Sequence, residues 1–287
     1  MPINLGNRKF KQIYFSDNNK NVKEIVAAYT GSTAVYAKKF NEYFYNDATF
    51  TVPKGVTRLN VECAAGQGMS FTEIAYGGLG GLIVCQIKVY EGLVLYLKVG
   101  KQYTDYTQNR NDSIIYLNGD QYQPIIHVGG GGSAANPVWI RNKQVHGGAG
   151  GGSVGGVGNA DAPTSNIVSQ GGTQSAGGDG PYVLYPNIWG YDGRVAHRGN
   201  RFTGGSPYVE YDQSVGGYRT GCGGAGYFGG GGGLLKYYLS GSGSYETWAI
   251  GGGGGSSYYN PSYIVDGTSV SNLQGQRQGN GYIRLYN

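Results

Sequence analysis

The chain has 287 residues, of which 56 are glycine and 27 are tyrosine, and its 22 basic and 17 acidic side chains give a formal net charge of +5. This length can bury one large core or two, but the low and balanced charge lacks the electrostatic footprint of a nucleic-acid-binding protein. No run reaches the apolar length of a transmembrane helix, and Met1–Phe15 carries charges where a secretion signal has its apolar stretch.

The first forty or so residues contain short β-forming runs. Lys11–Phe15 and Val22–Val26 precede Tyr29–Ser32 and Ala34–Tyr36, with polar turns between them. β-Branched and aromatic runs bounded by Asn, Asp and Gly predict strands or hairpins. Because so small a unit needs support, we predict that residues 1–45 form a β attachment module that leans on a partner or on the next domain.

Stronger strand patterns begin at Ala48. Val56–Cys63 alternates apolar and polar side chains, as a half-buried strand does. The other predicted strands are Thr49–Val52, Leu82–Val89, Leu93–Val99, Ser113–Leu117, Ile125–Val128 and Tyr282–Tyr286. No segment has helical periodicity with caps, so we predict an all-β domain with glycine-rich segments over residues 46–287.

Glycine is concentrated from Gly129 onwards, where 44 of the 56 glycines lie. The many aromatic residues between the glycine blocks argue against a linker or a disordered tract, and the broken period and few prolines argue against collagen. Glycine runs remove Cβ from every face, so extended polyproline-II-like segments can approach closely and exchange lateral backbone hydrogen bonds. We therefore predict a bundle of such segments, stabilised by burial of the flanking aromatics.

Several motifs, in their order, resemble a known family. They are Phe50–Thr57, Gly77–Gly81, Ile126–Gly132, Gly147–Gly152, Gly171–Gly178, Gly223–Gly231, Gly251–Tyr258 and Gly279–Arg284. In this order they are similar to the glycine-rich domain of tailed-phage tail-fibre and virion adhesins, and to the glycine-rich region of anaplastic lymphoma kinase-type receptors. The resemblance implies a jelly-roll-like β-sandwich that carries a bundle of polyglycine II helices. Lys11–Tyr14, Val22–Ile25 and Tyr29–Tyr36 also resemble short modules that begin some tailed-phage structural proteins.

The stretch from Pro181 to Tyr218 is unusually long and aromatic between these motifs, which makes it a natural place for a chain-specific function. Exposed Tyr and Trp give a large contact area with few rotors, and flat rings also stack on sugars. We therefore predict receptor-binding residues on the longer excursions: Trp139, Arg141, Tyr182, Tyr185, Trp189, Tyr191, Tyr208, Tyr211, Tyr237, Tyr238 and Trp248. Aromatics that touch glycine blocks are expected to cover the bundle instead: Tyr227, Phe228, Tyr258 and Tyr259.

Motifs that are typical of chemistry lack the context they need. Gly221–Gly226 fits G-x-G-x-x-G and Gly151–Gly155 fits G-x-S-x-G, but neither has the strand and helix that such sites require. Other weak candidates are the isolated His127, His146 and His197, the calcium-repeat-like Gly155–Asp161, and the pair Glu210 and Asp212. We expect no enzyme activity, no catalytic residue, no cofactor and no metal.

The three cysteines cannot form a closed disulfide framework. We expect Cys63, Cys85 and Cys222 to be buried apolar side chains. A disulfide between Cys63 and Cys85 on adjacent strands is the alternative.

These features favour a tailed-phage virion protein that binds a host glycan or outer-surface protein through aromatic loops and docks to other virion proteins through residues 1–45. Synthesis in the host cytoplasm and release by lysis would need neither a signal peptide nor membrane insertion. Nucleic acid is not an expected partner, and a homo-oligomer is left open. A structural fibre, spike or decoration subunit of the virion is the alternative, and an extracellular receptor module is a third hypothesis.

Overall fold

The computed structural model describes residues 27–30, 33–37, 39–71, 75–104, 110–135, 145–161, 168–181, 196–209, 220–239 and 245–287. Within these ranges the structure is nearly all β, as predicted, with a short 3-10 turn at Pro261–Tyr263 and no helix that has the length and apolar character of a membrane span. The strands are β1 (Ala27–Thr30), β2 (Thr33–Ala37), β3 (Asn41–Phe44), β4 (Ala48–Thr51), β5 (Arg58–Ala64), β6 (Gly80–Lys88), β7 (Val94–Lys98), β8 (Ser113–Tyr116), β9 (Pro124–Val128), β10 (Ala160–Asp161), β11 (Tyr208–Val209), β12 (Leu234–Leu239), β13 (Tyr245–Ile250), β14 (Tyr258–Tyr259), β15 (Ser271–Arg277) and β16 (Tyr282–Tyr286).

In the described part of the chain, two five-stranded antiparallel sheets form what we call the two-sheet body. The first has the order β15-β6-β5-β16-β3 and the second has the order β14-β9-β8-β7-β4. One hydrophobic cluster contains Leu59, Ile83 and Ile283 from the first sheet together with Leu95 and Ile126 from the second. The two sheets therefore share a core, and burial of each such side chain contributes roughly 1.5–3 kcal/mol.

The alternating pattern of β5 is confirmed, because Leu59, Val61 and Cys63 are buried while the residues between them are only half-buried. β4, β6, β7, β8, β9 and β16 begin and end within two residues of their predicted ranges. β3 and β10 to β15 were not predicted, because glycine, polar and aromatic residues interrupt the periodicity there. The period of apolar residues thus located the strands of the core and missed those at its margins.

Within the predicted amino-terminal module, the structure describes residues 27–30, 33–37 and 39–45. β1 and β2 form an antiparallel hairpin, as the patterns at Tyr29–Ser32 and Ala34–Tyr36 predicted. The predicted strands Lys11–Phe15 and Val22–Val26 lie outside the described residues. β3, which falls inside the predicted attachment module, pairs with β16 at the edge of the first sheet.

Glycine-rich segments lie side by side next to the two-sheet body, and one of them continues into β6 at Gly80. Their ranges are 66–68, 77–81, 129–134, 145–151, 155–159, 168–172, 176–181, 196–200, 203–207, 220–226, 228–233 and 251–256, which we call the glycine core. Backbone groups join neighbouring segments directly. For example, Gly78 N donates to Gly132 O at 2.8 Å, and Gly132 N donates to Gly148 O at 2.8 Å.

The hydrogen bonds of segment 251–256 repeat every three residues. The N–H groups of Gly251 and Gly254 donate to segment 155–159, those of Gly252 and Gly255 to segment 129–134, and those of Gly253 and Ser256 to segment 228–233. Its carbonyl groups accept bonds from three further segments, 145–151, 168–172 and 220–226. This segment is therefore surrounded by neighbours that bond to its backbone on every side.

None of the five glycines Gly251–Gly255 has room for a side chain. A Cβ at Gly252 would overlap the carbonyl oxygen of Cys222, and a Cβ at Gly253 would overlap that of Gln170. Because consecutive positions meet different neighbours, each must be glycine for the backbones to stay in hydrogen-bonding distance. The glycine blocks of the sequence are thus the condition for the packing.

The three cysteines are free and buried, so the Cys63–Cys85 disulfide is wrong and the apolar interpretation is confirmed. In the β5–β6 ladder Cys63 pairs with Ile83 and Cys85 pairs with Val61, so the two thiols are not opposite each other. Burial raises the pKa of Cys85 to about 12, which keeps its thiol protonated at neutral pH.

We predict that Gly253→Ala destabilises the protein by more than about 4 kcal/mol or prevents folding, because the new methyl group has no room between the segments. The matched control is Gly267→Ala, at φ 75° in a turn where nothing lies within 4 Å of the new Cβ. Its cost should be about 1–2 kcal/mol from backbone strain alone. Urea denaturation measures both variants, and equal losses would contradict the role assigned to close packing.

Candidate functional site

The glycine core has two ends. At one end its segments continue into the two-sheet body, where β5 precedes segment 66–68 and β9 precedes segment 129–134. At the other end lie the described residues that flank the ranges 72–74, 136–144, 162–167, 182–195, 210–219 and 240–244. We call this the distal end, and it comprises residues 69–71, 75–76, 134–135, 145–146, 159–161, 168–169, 180–181, 196–197, 206–209, 220–221, 233–239 and 245–251.

Backbone hydrogen bonds hold these flanking residues together. Ala135 N donates to Val145 O at 3.2 Å, Asn159 N donates to His146 O at 2.9 Å, and Gly251 N donates to Asn159 O at 2.9 Å. Three further backbone bonds extend this layer: Gly158 N donates to Ser169 O, Gly232 N donates to His197 O, and Gly233 N donates to Gly221 O. Described residues from parts of the chain that are far apart in sequence therefore meet at one place.

A small sheet supports the distal end. In the described residues its order is β10-β13-β12-β11, with antiparallel pairs except for the parallel pair of β11 and β12. Beside it, Ala135, Val145, Leu235 and Ala249 form a buried apolar cluster. The sheet and the cluster together fix the bases of the excursions.

The predicted receptor-binding residues fall into two groups. Trp139, Arg141, Tyr182, Tyr185, Trp189, Tyr191 and Tyr211 lie outside the described residues. Tyr208 is half-buried on β11, Tyr237 and Tyr238 lie on β12, and Trp248 lies on β13 opposite Lys236. The structure thus brings the second group onto one small sheet, and the described neighbours of the first group adjoin that sheet.

Tyr76, an exposed aromatic at the distal end, was not among the predicted receptor-binding residues. Its ring stacks on the imidazole of His146, with centroids 5.7 Å apart and planes at 10°. Tyr76 N donates to His146 Nδ1 at 3.1 Å. The position of Tyr76 directly before the Gly77–Gly81 block could have identified it, because a residue there is carried out to the end of a core segment.

The buried side chain of Asn111 joins the glycine core to the two-sheet body. Its Nδ2 donates to Gly66 O at 3.1 Å and to Gly131 O at 2.8 Å, and its Oδ1 accepts from Ala225 N at 3.1 Å. The side-chain amide of Asn111 thus satisfies backbone polar groups of three glycine-rich segments, as a peptide group of a neighbouring segment does elsewhere in the core. An Asn at this place is structural, since all of its bonds are internal.

Phe202 also packs at the junction between the glycine core and the two-sheet body. It sits in the tight turn between segments 196–200 and 203–207 at φ 69°, where a bulky side chain is strained. Its ring stacks on His127 with centroids 5.0 Å apart, and Arg201 Cζ lies 4.9 Å from its centroid. Tyr227 packs edge-on against Phe202 at 6.1 Å, so packing holds the strained turn in place.

A buried pair of hydrogen-bonded side chains, His127 and Asp112, lies under Phe202. His127 Nε2 is 2.7 Å from Asp112 Oδ2, and Arg110 Nη2 is 3.8 Å from the same oxygen. Burial by itself raises the pKa of Asp112, but the hydrogen bond and charge of His127 and the charges of Arg110 and Lys98 outweigh it and hold this pKa below its usual value. The carboxylate is therefore charged at neutral pH and stabilises the junction.

The weak chemical motifs belong to the packing. Gly223 N donates to Gly205 O and Gly224 N donates to Gly253 O, so these amides of the G-x-G-x-x-G match are engaged by the core and do not cradle a phosphate. Within the described ranges, no group of His, Cys, Asp and Glu side chains could hold a metal ion. Glu210 and Asp212 lie outside those ranges.

The opposite pole of the molecule is where the chain enters the two-sheet body. β5 runs from Arg58 towards the glycine core, and its residue Asn60 pairs with Tyr286, which in turn pairs with Asn41 of β3. Asn41 and the preceding Lys39 therefore lie at the end of the first sheet that is away from the glycine core. The connection to the amino-terminal residues and the distal end are at opposite poles.

No protein-family model matches this sequence, and no curated protein is significantly similar to it. The resemblance to the glycine-rich domain of phage adhesins consequently depends on the order of motifs such as Phe50–Thr57 and Gly251–Tyr258.

We predict that Asn111→Asp costs on the order of 3–5 kcal/mol, because a carboxylate cannot donate to the carbonyls of Gly66 and Gly131 and would be buried beside them. Asn118→Asp, in an exposed turn, is the control and should change stability by less than about 0.5 kcal/mol. Urea denaturation measures both. Similar stabilities for the two variants would show that the amide of Asn111 is dispensable.

We predict that Asp112→Asn lowers stability at pH 7 by about 1–3 kcal/mol, by weakening the contact with His127. Because the folded-state pKa of Asp112 is depressed, its contribution is complete above the unfolded value of about 3.9 and is lost as pH falls through the folded value. The gap between wild type and variant should therefore shrink below about pH 4.

Denaturation in urea at pH 7, 5, 4 and 3 measures this gap. Asp266→Asn is the control, since its carboxylate is exposed and pairs with Lys88 at the surface. A gap of the same size at pH 3 and pH 7 would contradict the assignment.

Proposed function

We propose that this chain is a virion protein of a tailed phage that binds a host surface receptor through its distal end. The observation that carries the proposal is the meeting of many chain excursions at one end of a closely hydrogen-bonded core. Those excursions contain the predicted receptor-binding residues, among them Tyr185 and Trp189. The resemblance of the sequence motifs to phage adhesins suggests the class of protein. We propose no enzymatic role.

The proposed architecture of the glycine core is a bundle of polyglycine II helices. A polyproline-II-type helix has three residues per turn and no internal hydrogen bonds. The bonds of segment 251–256 repeat with a period of three and all go to other segments, which supports this geometry. The six neighbours of that segment also fit the hexagonal packing that three-fold helices without side chains permit.

The proposed architecture of the two-sheet body is a jelly-roll-like β-sandwich. Its support is the path of the chain, which moves between the two sheets several times rather than completing one before the other. β3 lies in the first sheet, β4 in the second, β5 and β6 in the first, and β7, β8 and β9 in the second. The chain then returns to the first sheet with β15 and β16.

A core of this kind suits recognition because it fixes the bases of the excursions before a ligand arrives. Groups held in place lose little conformational freedom on binding, so more of the contact energy appears as affinity. Tyrosine and tryptophan add contact area with few rotors. The low net charge favours stacking and hydrogen bonds over ion pairs as the source of affinity, whether the receptor is a glycan or an outer-surface protein.

We propose that the two poles of the molecule bind different partners. Phe40 N donates to Asn287 Oδ1 at 2.9 Å, which anchors the entering chain at the pole opposite the distal end. We propose that residues 1–45 dock to other virion proteins at that pole. The distal end would then point away from the particle and towards the host.

A structural subunit of the virion is the second candidate, and the outer face of the first sheet favours it. Arg284 Cζ lies 5.1 Å from the ring of Tyr43 and 4.5 Å from that of Tyr286, and its Nη1 is 2.6 Å from Glu62 Oε1. Tyr43 is 47% exposed. Tyrosine and arginine held in such fixed positions are typical of protein–protein interfaces.

The adhesion proposal predicts that the full chain, fluorescently labelled, binds intact host cells. Replacing Tyr185, Trp189 and Tyr191 with alanine together should reduce that binding at least tenfold, because Tyr and Trp are the residue types that dominate binding interfaces. Tyr90→Ala is the control, since Tyr90 is 66% exposed beside the turn between β6 and β7. Flow cytometry over a range of protein concentrations gives the apparent affinities.

Two results would decide against adhesion. Failure of the wild-type chain to label host cells, together with binding to purified virion proteins, would favour the structural subunit. Turnover of a host surface glycan would overturn both non-enzymatic proposals. Retained labelling by the triple variant would place the receptor site elsewhere on the molecule.

A further inference from the structure

We infer that Tyr76, supported by His146, is a sugar-stacking element of the distal end and that the receptor is a surface glycan. The inference rests on the proposed function and adds the class of ligand and a recognition residue. Tyr76 is a large aromatic side chain exposed at the distal end, with 52% exposure.

The ring of Tyr76 is held as a rigid plate. It lies 5.7 Å from the His146 ring at an interplanar angle of 10°. On its own backbone, Tyr76 N donates to His146 Nδ1 at 3.1 Å and Tyr76 O accepts from Gly147 N at 3.0 Å. Both backbone polar groups of Tyr76 are thus tied to the neighbouring segment, which fixes where the ring stands.

The hydrogen bond at Nδ1 also orients the His146 ring, because Nδ1 faces the N–H of Tyr76. The two aromatic rings stacked in parallel form a flat surface. Such a surface matches the C–H face of a pyranose ring.

A polar residue lies in the backbone layer that contains His146. The N–H of Asn159 donates to His146 O at 2.9 Å, and the Oδ1 of its amide accepts from Ala160 N at 2.8 Å. Glycan sites combine an aromatic plane with neutral hydrogen-bonding groups of this kind, since sugars present both C–H faces and hydroxyls. The exposed tyrosines of the first sheet differ, because Tyr43 has the Tyr45 ring at 6.1 Å and the Arg284 guanidinium at 5.1 Å.

The experiment measures binding of the full chain to host cells that have been treated in three ways: untreated, digested with protease, or oxidised with periodate to open sugar rings. We expect wild-type binding to survive protease and to be lost after periodate. Tyr76→Ala should weaken binding by about tenfold, which corresponds to about 1.4 kcal/mol and is within the range of one aromatic stacking contact. Tyr76→Phe keeps the ring and should bind within about twofold of wild type.

Tyr90→Ala is the matched control, because it removes an exposed tyrosine from the two-sheet body and should leave binding unchanged. Equal urea midpoints for all variants would show that the fold is intact. Wild-type binding that protease abolishes and periodate spares, or undiminished binding by Tyr76→Ala, would overturn the glycan inference while leaving adhesion in place. Absence of wild-type binding to untreated cells would overturn the proposed function and this inference with it.

Discussion

Close approach of bare backbones is the constraint on which the structure depends. In most proteins side chains separate neighbouring segments unless the segments form a sheet, but here each glycine run bonds to several neighbours at once. Segment 251–256 does so on every side, and a Cβ at any of its glycines would overlap a neighbouring segment. The hydrogen bonds offset the large loss of backbone entropy that ordered glycine entails.

Such a core has few apolar side chains of its own, so it depends on the two-sheet body at one end and on a small sheet at the other. The body supplies a conventional hydrophobic cluster around Leu95 and Ile126. The side-chain amide of Asn111 joins the two parts, because it makes hydrogen bonds that a peptide group would otherwise make. The ring of Phe202 covers the buried pair of Asp112 and His127. At this junction, the side-chain packing of the two-sheet body is replaced by the backbone hydrogen bonds of the glycine core.

The entry of the chain into the two-sheet body and the distal end of the glycine core therefore lie at opposite poles of the molecule. The chain enters at Lys39, crosses the two-sheet body, and reaches the distal end through the glycine core before each return. The described residues that flank each excursion bond to neighbouring segments and so belong to the core, and sequence variation concentrates in loops that a scaffold positions. The same property that makes the scaffold rigid thus leaves the distal end free to specialise, and this is the physical basis of the proposed role in recognition.

Apolar periodicity located the core strands, since β5 and β16 follow the alternation that half-burial imposes on local sequence. Composition likewise indicated that the glycine runs pack laterally. Neither could identify β15, where Leu273 is exposed and no alternation remains, nor the turn that drives Phe202 onto His127. Those features arise from contacts between residues far apart in the chain, which leave no local period.

Sequence alone therefore determined the class of fold, the position of its main strands and the need for glycine, because each depends on the residues of a single segment. Tertiary structure alone decided which segments are neighbours, that the excursions share one end, and that Tyr76 stands there against His146. Every glycine offers the same backbone donor and acceptor, so the sequence does not indicate which glycine-rich segments bond to each other. Only the complete packing selects one partner for each of them.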